Sequence, residues 1–178
     1  EAALATYAEA LESARRAGGG RREALIFTGQ ADVHADLGNL SLARELYRQA
    51  LSYFEHANEW VMVAYLYRAQ ARSDRWSGNL VSALEWLRRA TRAAEQANAH
   101  SQLIKVEALR GAVLVDMGYV ADGRKVLESV CQQLDELGAL AELPQALLFR
   151  ACAEFRSGQA DAAAASLARS PTLTSRRA

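Results

Sequence analysis

Arg68, Arg72 and Arg75 stand at i, i+4 and i+7, the spacing that puts three guanidinium groups in one stripe of a helix face. Guanidinium pairs bidentately with carboxylate or phosphate, so the stripe is suited to clamping an acidic ligand, with Tyr65 and Trp76 beside it for rigid apolar contact. A second basic cluster, Arg15, Arg16, Arg21 and Arg22, flanks Gly18, Gly19 and Gly20. Glycines among arginines suggest phosphate contact, but no strand precedes them to build such a site, and the segment reads as an inter-helix loop with solvated charges. His34, His56 and His100 fall in different parts of the chain, and Cys131 and Cys152 have neither a CxxC partner nor metal-ligand spacing. No metal site is expected from them, and the cysteines read as reduced, buried thiols of a cytoplasmic protein. The chain carries no Walker-type phosphate loop, GxSxG elbow, HExxH pair or dinucleotide fingerprint. It is therefore read as a non-enzyme, with no catalytic residue and no cofactor assigned.

The elements that position these residues follow from composition. The 178 residues hold 37 Ala and 24 Leu against 10 Val, 2 Ile and 5 Thr, and only two prolines. Straight-chain residues and alanine lose little entropy in a helix, whereas β-branched residues favour strands, so an all-α chain is expected. Lys plus Arg and Asp plus Glu number 21 each, a zero balance that argues against a general nucleic-acid binder. No apolar run reaches membrane-spanning length and no signal-peptide core opens the chain, so a soluble protein is expected.

Internal periodicity organises the chain. Gly38, Gly78, Gly118 and Gly158 are spaced by 40 residues, and the same period carries small residues at Ala3, Ala43, Ala83, Gly123 and Ala163. Four residues later comes a large apolar column, Tyr7, Tyr47, Leu87, Leu127 and Leu167, and a further small column runs through Ala31, Ala71, Gly111 and Ala151. Gly18, Asn58, Asn98 and Gly138 supply the residue types that tolerate a left-handed helix stop. Each unit thus reads as helix, tight turn at the glycine, second helix, stop. Asn39 and Asn79 are placed to cap the second helix, and Pro144 to open a first helix. Small residues permit close helix crossings, and since one pair cannot cover its own apolar face, the units must stack. Ala94 is expected to lie outside these contacts.

In a small residue before the turn, the turn glycine, then Ala, an aromatic or Leu, and Ala, the stretch GNLSLARELYRQAL resembles the tetratricopeptide repeat family, and GNLVSALEWLRRAT is close behind. The period of 40 departs from the family's usual ~34 residues, and the early aromatic and closing proline are mostly missing. The longer unit is similar to sensor repeats of bacterial transcription activators of the maltose-activator type, of peptide-sensing regulators, and of kinesin light chains. The resemblance implies a right-handed α-solenoid of antiparallel helix pairs with about nine helices. Its units are a half repeat at 1–18 and repeats at about 22–58, 59–98, 99–138 and 139–170, with 171–178 as a disordered tail. It also implies an inner face of first-helix side chains, here Asp32 and Asp36, then Tyr65, Arg68, Arg72, Arg75 and Trp76. Lys105, Leu109, Ala112, Val115 and Asp116 follow in the next unit, and Leu148, Phe149, Cys152, Phe155 and Arg156 in the last.

Such a face presents itself to a protein or peptide partner, acidic in this case, or to a small effector. The expected role is an interaction or effector-sensing scaffold within a larger regulator, with a recruiting arm of a multidomain protease or ATPase as the alternative. Asp32 and Asp36 offer a competing account of the arginines, an inter-repeat charge ladder with no ligand. The chain opens in second-helix columns and closes without a capping helix. A segment of a longer protein is therefore expected, with self-association through apolar ends at Leu4, Tyr7, Leu11 and Leu167.

Overall fold

The computed structural model describes residues 2–16 and 18–170, with side chains from residue 5 onward; the expected tail at 171–178 and the Leu4 side chain lie outside them. Among the described residues there are nine helices and no strand. They are α1 (Ala2–Arg16), α2 (Arg21–Asp36), α3 (Leu40–His56), α4 (Trp60–Trp76), α5 (Leu80–Gln96), α6 (His100–Asp116), α7 (Val120–Glu136), α8 (Leu143–Arg156) and α9 (Ala160–Ala168). They pack in consecutive pairs and divide into two compact units, Glu1–Gln102 and Leu103–Ala178.

The turns are more uniform than the sequence suggests. The expected glycine turn and the expected left-handed stop are one structure, repeated every 20 residues. At each, a residue with positive φ is followed by an amide that reaches back five residues: Asn39 N–H to His34 O at 2.8 Å, Glu59 to Phe54 at 2.9 Å, Asn79 to Asp74 at 2.8 Å, and Ala99 to Ala94 at 2.8 Å. This is the Schellman closure, which satisfies a helix's last carbonyls. Asn58 and Asn98 hold φ of 54° and 51°, the left-handed region that asparagine tolerates better than other side chains. Pro144 occupies the first turn of α8 as expected. Asn39 and Asn79 do not cap through their side chains. With one residue between the left-handed stop and the next helix, Asn39 is held at φ −78°, ψ 57°, and its amide lies 3.5 Å from His34 Nδ1 instead.

The small columns make the crossings. Ala31, Ala43, Ala71 and Ala83 are fully buried, as are Tyr47 and Phe54 beside them. Each large side chain removed from water contributes ~1.5–3 kcal/mol. In the second unit the alanine pair becomes Gly111 and Gly123, and a Cβ on Gly123 would meet Gly111 O at 2.7 Å and Val115 Cγ2 at 2.6 Å. Ala94 is buried, against expectation, because it continues the stripe Ala83, Leu87, Ala90 at the next helical step and shares its repeat column with Phe54 and Leu134. Cys131 is buried among Leu134, Leu143 and Leu147, and that burial pushes its thiol up. Cys152 is exposed, since it lies on α8 between the exposed Leu148 and Phe155. Both thiols are free. Tyr7, Leu11 and Leu167 are half-buried. Among the described residues, no helix is long and apolar enough to cross a membrane.

Two buried carboxylates, 80 residues apart, tie the helices of a pair together. Asp74 accepts Ser82 Oγ at 2.5 Å and Trp86 Nε1 at 3.0 Å, joining α4 to α5. Glu154 accepts Arg150 Nε and Ser166 Oγ, both at 2.7 Å, joining α8 to α9. Each is a buried charge made tolerable by hydrogen bonds.

Candidate functional site

The first unit gathers most of the expected site around one carboxylate. Asp32, in the fourth turn of α2, receives three donors: Tyr47 Oη from α3 at 2.6 Å, Tyr65 Oη from α4 at 2.5 Å, and Arg72 Nη2 from α4 at 3.3 Å. Arg72 Nη2 also lies 3.9 Å from Asp36 and 3.5 Å from Tyr47 Oη. Its guanidinium stands over the Trp76 ring at 5.0 Å, a cation–π distance. Three helices thus converge on Asp32. Burial first, and then the bond to Asp32, push the Tyr47 and Tyr65 phenols well above their ordinary value.

Arg72 is therefore the rung of a charge ladder, as the structural account of the arginines requires. Arg68, one turn earlier, is different. Among the described residues it makes no ion pair, whereas Arg44 and Arg72, whose Nε atoms are likewise buried without an acceptor, each pair with an aspartate. The Arg68 guanidinium carbon stands 5.2 Å from the centre of the Tyr65 ring. Burial pulls this guanidinium below its ordinary value, with Arg72 adding to the effect, yet an arginine so placed still carries its charge at neutral pH. Arg75 is half-buried in the last turn of α4, and Trp76 is 48% exposed.

The remaining expected residues belong to the second unit. Leu109 is 4% exposed and works as core, so it offers no binding surface. Buried residues such as Ala108, Leu109, Ala112, Val113 and Val115 spread around much of α6, which hides the core-facing side from sequence inspection. Phe149 is half-buried against two clusters, one containing Cys131 and Leu147, the other Val115, Leu127 and Ala153. Phe155 is 69% exposed and forms a stripe with Leu148 and Cys152. Lys105 pairs with Glu142 at 3.1 Å, and Arg156 with Asp116 at 3.5 Å.

Sequence reasoning places Tyr47 in the large apolar column and misses its part in the site. Its column turns to leucine at Leu87, Leu127 and Leu167, and a hydroxyl where leucine suffices is a signal that an acceptor faces it. No group of three metal-ligating side chains converges among the described residues; His34 is half-buried beside Asn39, and His56 and His100 are exposed. No protein-family model matches the chain, nor does any curated protein or solved structure.

Proposed function

We propose that the chain is a non-enzymatic binding module of tetratricopeptide-repeat type, which takes an acidic partner on the α4 face around Arg68. The observation that carries this reading is the state of Arg68: a half-buried cation over an aromatic ring, with a buried N–H that finds no acceptor. A buried donor left unpaired costs ~1–3 kcal/mol, more when charged, and a carboxylate docking there would recover that cost on binding. Arg72 holds the neighbouring wall by its bond to Asp32, and Trp76 supplies exposed apolar contact one turn further on. Repeats of 40 residues resemble those of sensor regions, so the partner is read as a regulatory peptide or a carboxylate-bearing effector rather than a substrate.

The test is calorimetric titration of a glutamate-rich peptide with a free C-terminal carboxylate into wild type and an Arg68→Gln variant. Glutamine keeps helix propensity and removes only the charge and fork. Wild type should bind, and the variant should bind at least tenfold more weakly, about 1.4 kcal/mol. Equal affinity in the two proteins would place the site away from Arg68.

A further inference from the structure

A concavity in the first unit shares no residue with the Asp32 network. It is a groove of about 810 Å³ between the end of α1, the start of α2 and the outer part of α3. That volume lies within the ~300–1,000 Å³ of small-molecule sites. Phe27 and Tyr53 give it flat apolar walls, and Arg15, Arg48 and His56 give it basic ones. The repeat explains the opening. Gly20 also lines the groove and stands one 40-residue period before Trp60, so it brings no side chain where the next unit carries an indole, and the Tyr53 ring lies 3.7 Å from where its Cβ would stand.

Charge selects the ligand. Glu23 is the only carboxylate in the lining, and Arg15 already holds it through Nε at 3.1 Å. Arg48 gives Nε and Nη2 to Glu45, at 3.0 and 2.6 Å. A guanidinium has five N–H groups, so both arginines keep donors for a second acceptor. With His56 and the Ser52 hydroxyl in the same lining, the groove offers more donors than one carboxylate can use. A phosphate monoester presents three acceptor oxygens and up to two charges, which suits them better. We propose that this groove binds a phosphate monoester of a flat aromatic compound, about the size of a mononucleotide, with the ring between Phe27 and Tyr53 and the phosphate toward Arg15, Arg48 and His56.

Calorimetric titration tests this with adenosine 5′-monophosphate and phenyl phosphate as probes, and adenosine and inorganic phosphate as the two halves. The aromatic monoesters should bind saturably, and each half at least tenfold more weakly. Arg15 and Arg48 side chains are 60% and 71% exposed, so the double variant Arg15→Ala, Arg48→Ala should keep its helical circular dichroism. It should lose at least tenfold in affinity for the monoesters. Phe27→Leu should reduce monoester binding toward that of inorganic phosphate. Arg68→Gln should leave it unchanged, which separates this site from the acidic-partner site. The proposal is overturned if neither monoester binds at millimolar concentration, if adenosine binds as well as its phosphate, if the double arginine variant keeps full affinity, or if Arg68→Gln abolishes binding.

Discussion

At the residue scale, Asp32 shows how one carboxylate determines what its neighbours can do. It accepts from Tyr47, Tyr65 and Arg72, and Arg68, among the described residues, is left without an ion pair of its own. The two phenols make the arrangement sensitive to alkali. Their folded-state values are raised above the ordinary phenol value of about 10, so above that pH the unfolded chain releases protons that the native state retains. Their contribution is fully present below about pH 10 and is lost as pH rises toward the raised values. Tyr67, pushed up to about 12 by burial and by its bond to Glu55, acts in the same direction. Urea titrations at pH 8 and pH 11 should therefore show wild type losing more stability than a Tyr47→Phe, Tyr65→Phe variant, which starts lower by ~1–3 kcal/mol through the loss of its bonds to Asp32. An equal loss in both proteins would mean that other groups carry the alkaline sensitivity.

At the element scale, the repeated turn and the small residues at each crossing do most of the structural work. A Schellman closure every 20 residues ends α1 to α8 at the same point, so facing columns stay in register and alanine meets alanine, or glycine meets glycine. The Gly111–Gly123 crossing is the tightest test of this. Alanine is the better helix former by ~1 kcal/mol, so Gly123→Ala would stabilise an isolated α7. In the folded protein its Cβ would press on the Gly111 carbonyl and the Val115 side chain, and backbone does not yield cheaply. We expect Gly123→Ala to destabilise by ~1–3 kcal/mol, and Ala83→Leu, in the same column, by a similar amount. Ala164→Leu, on the exposed side of α9, should stay within ~0.5 kcal/mol. Indistinguishable midpoints for all three in guanidinium titrations would show that the columns are not close crossings.

At the scale of the whole molecule, the balance of 21 basic and 21 acidic residues leaves no net charge near pH 7.1. Exposed apolar side chains such as Leu148, Phe155 and Val81 then have no collective repulsion to keep copies apart. Solubility should pass through a minimum near pH 7 and rise on either side. Precipitation curves at pH 6, 7 and 8.5 would show it, and a solubility independent of pH would mean that the exposed apolar residues do not drive association.

The sequence by itself determined the helices, the 40-residue period, the turn positions and the small columns, because these rest on local terms: helix propensity, the left-handed tolerance of Gly and Asn, and the room that Ala or Gly leaves at a crossing. It also placed Arg68, Arg72 and Trp76 on one helix, since spacing within a helix is local too. Tertiary structure decided which polar groups meet. Asp32 finds Tyr47 fifteen residues away and Tyr65 thirty-three residues away, and whether Arg68 or Arg72 pairs with it depends on how three helices converge. Tertiary packing likewise buried Ala94 and Leu109, left Cys152 in solvent, and opened the groove beside Gly20. Burial of one side chain and pairing of one charge depend on the atoms brought against them from other helices, which no count along the chain contains.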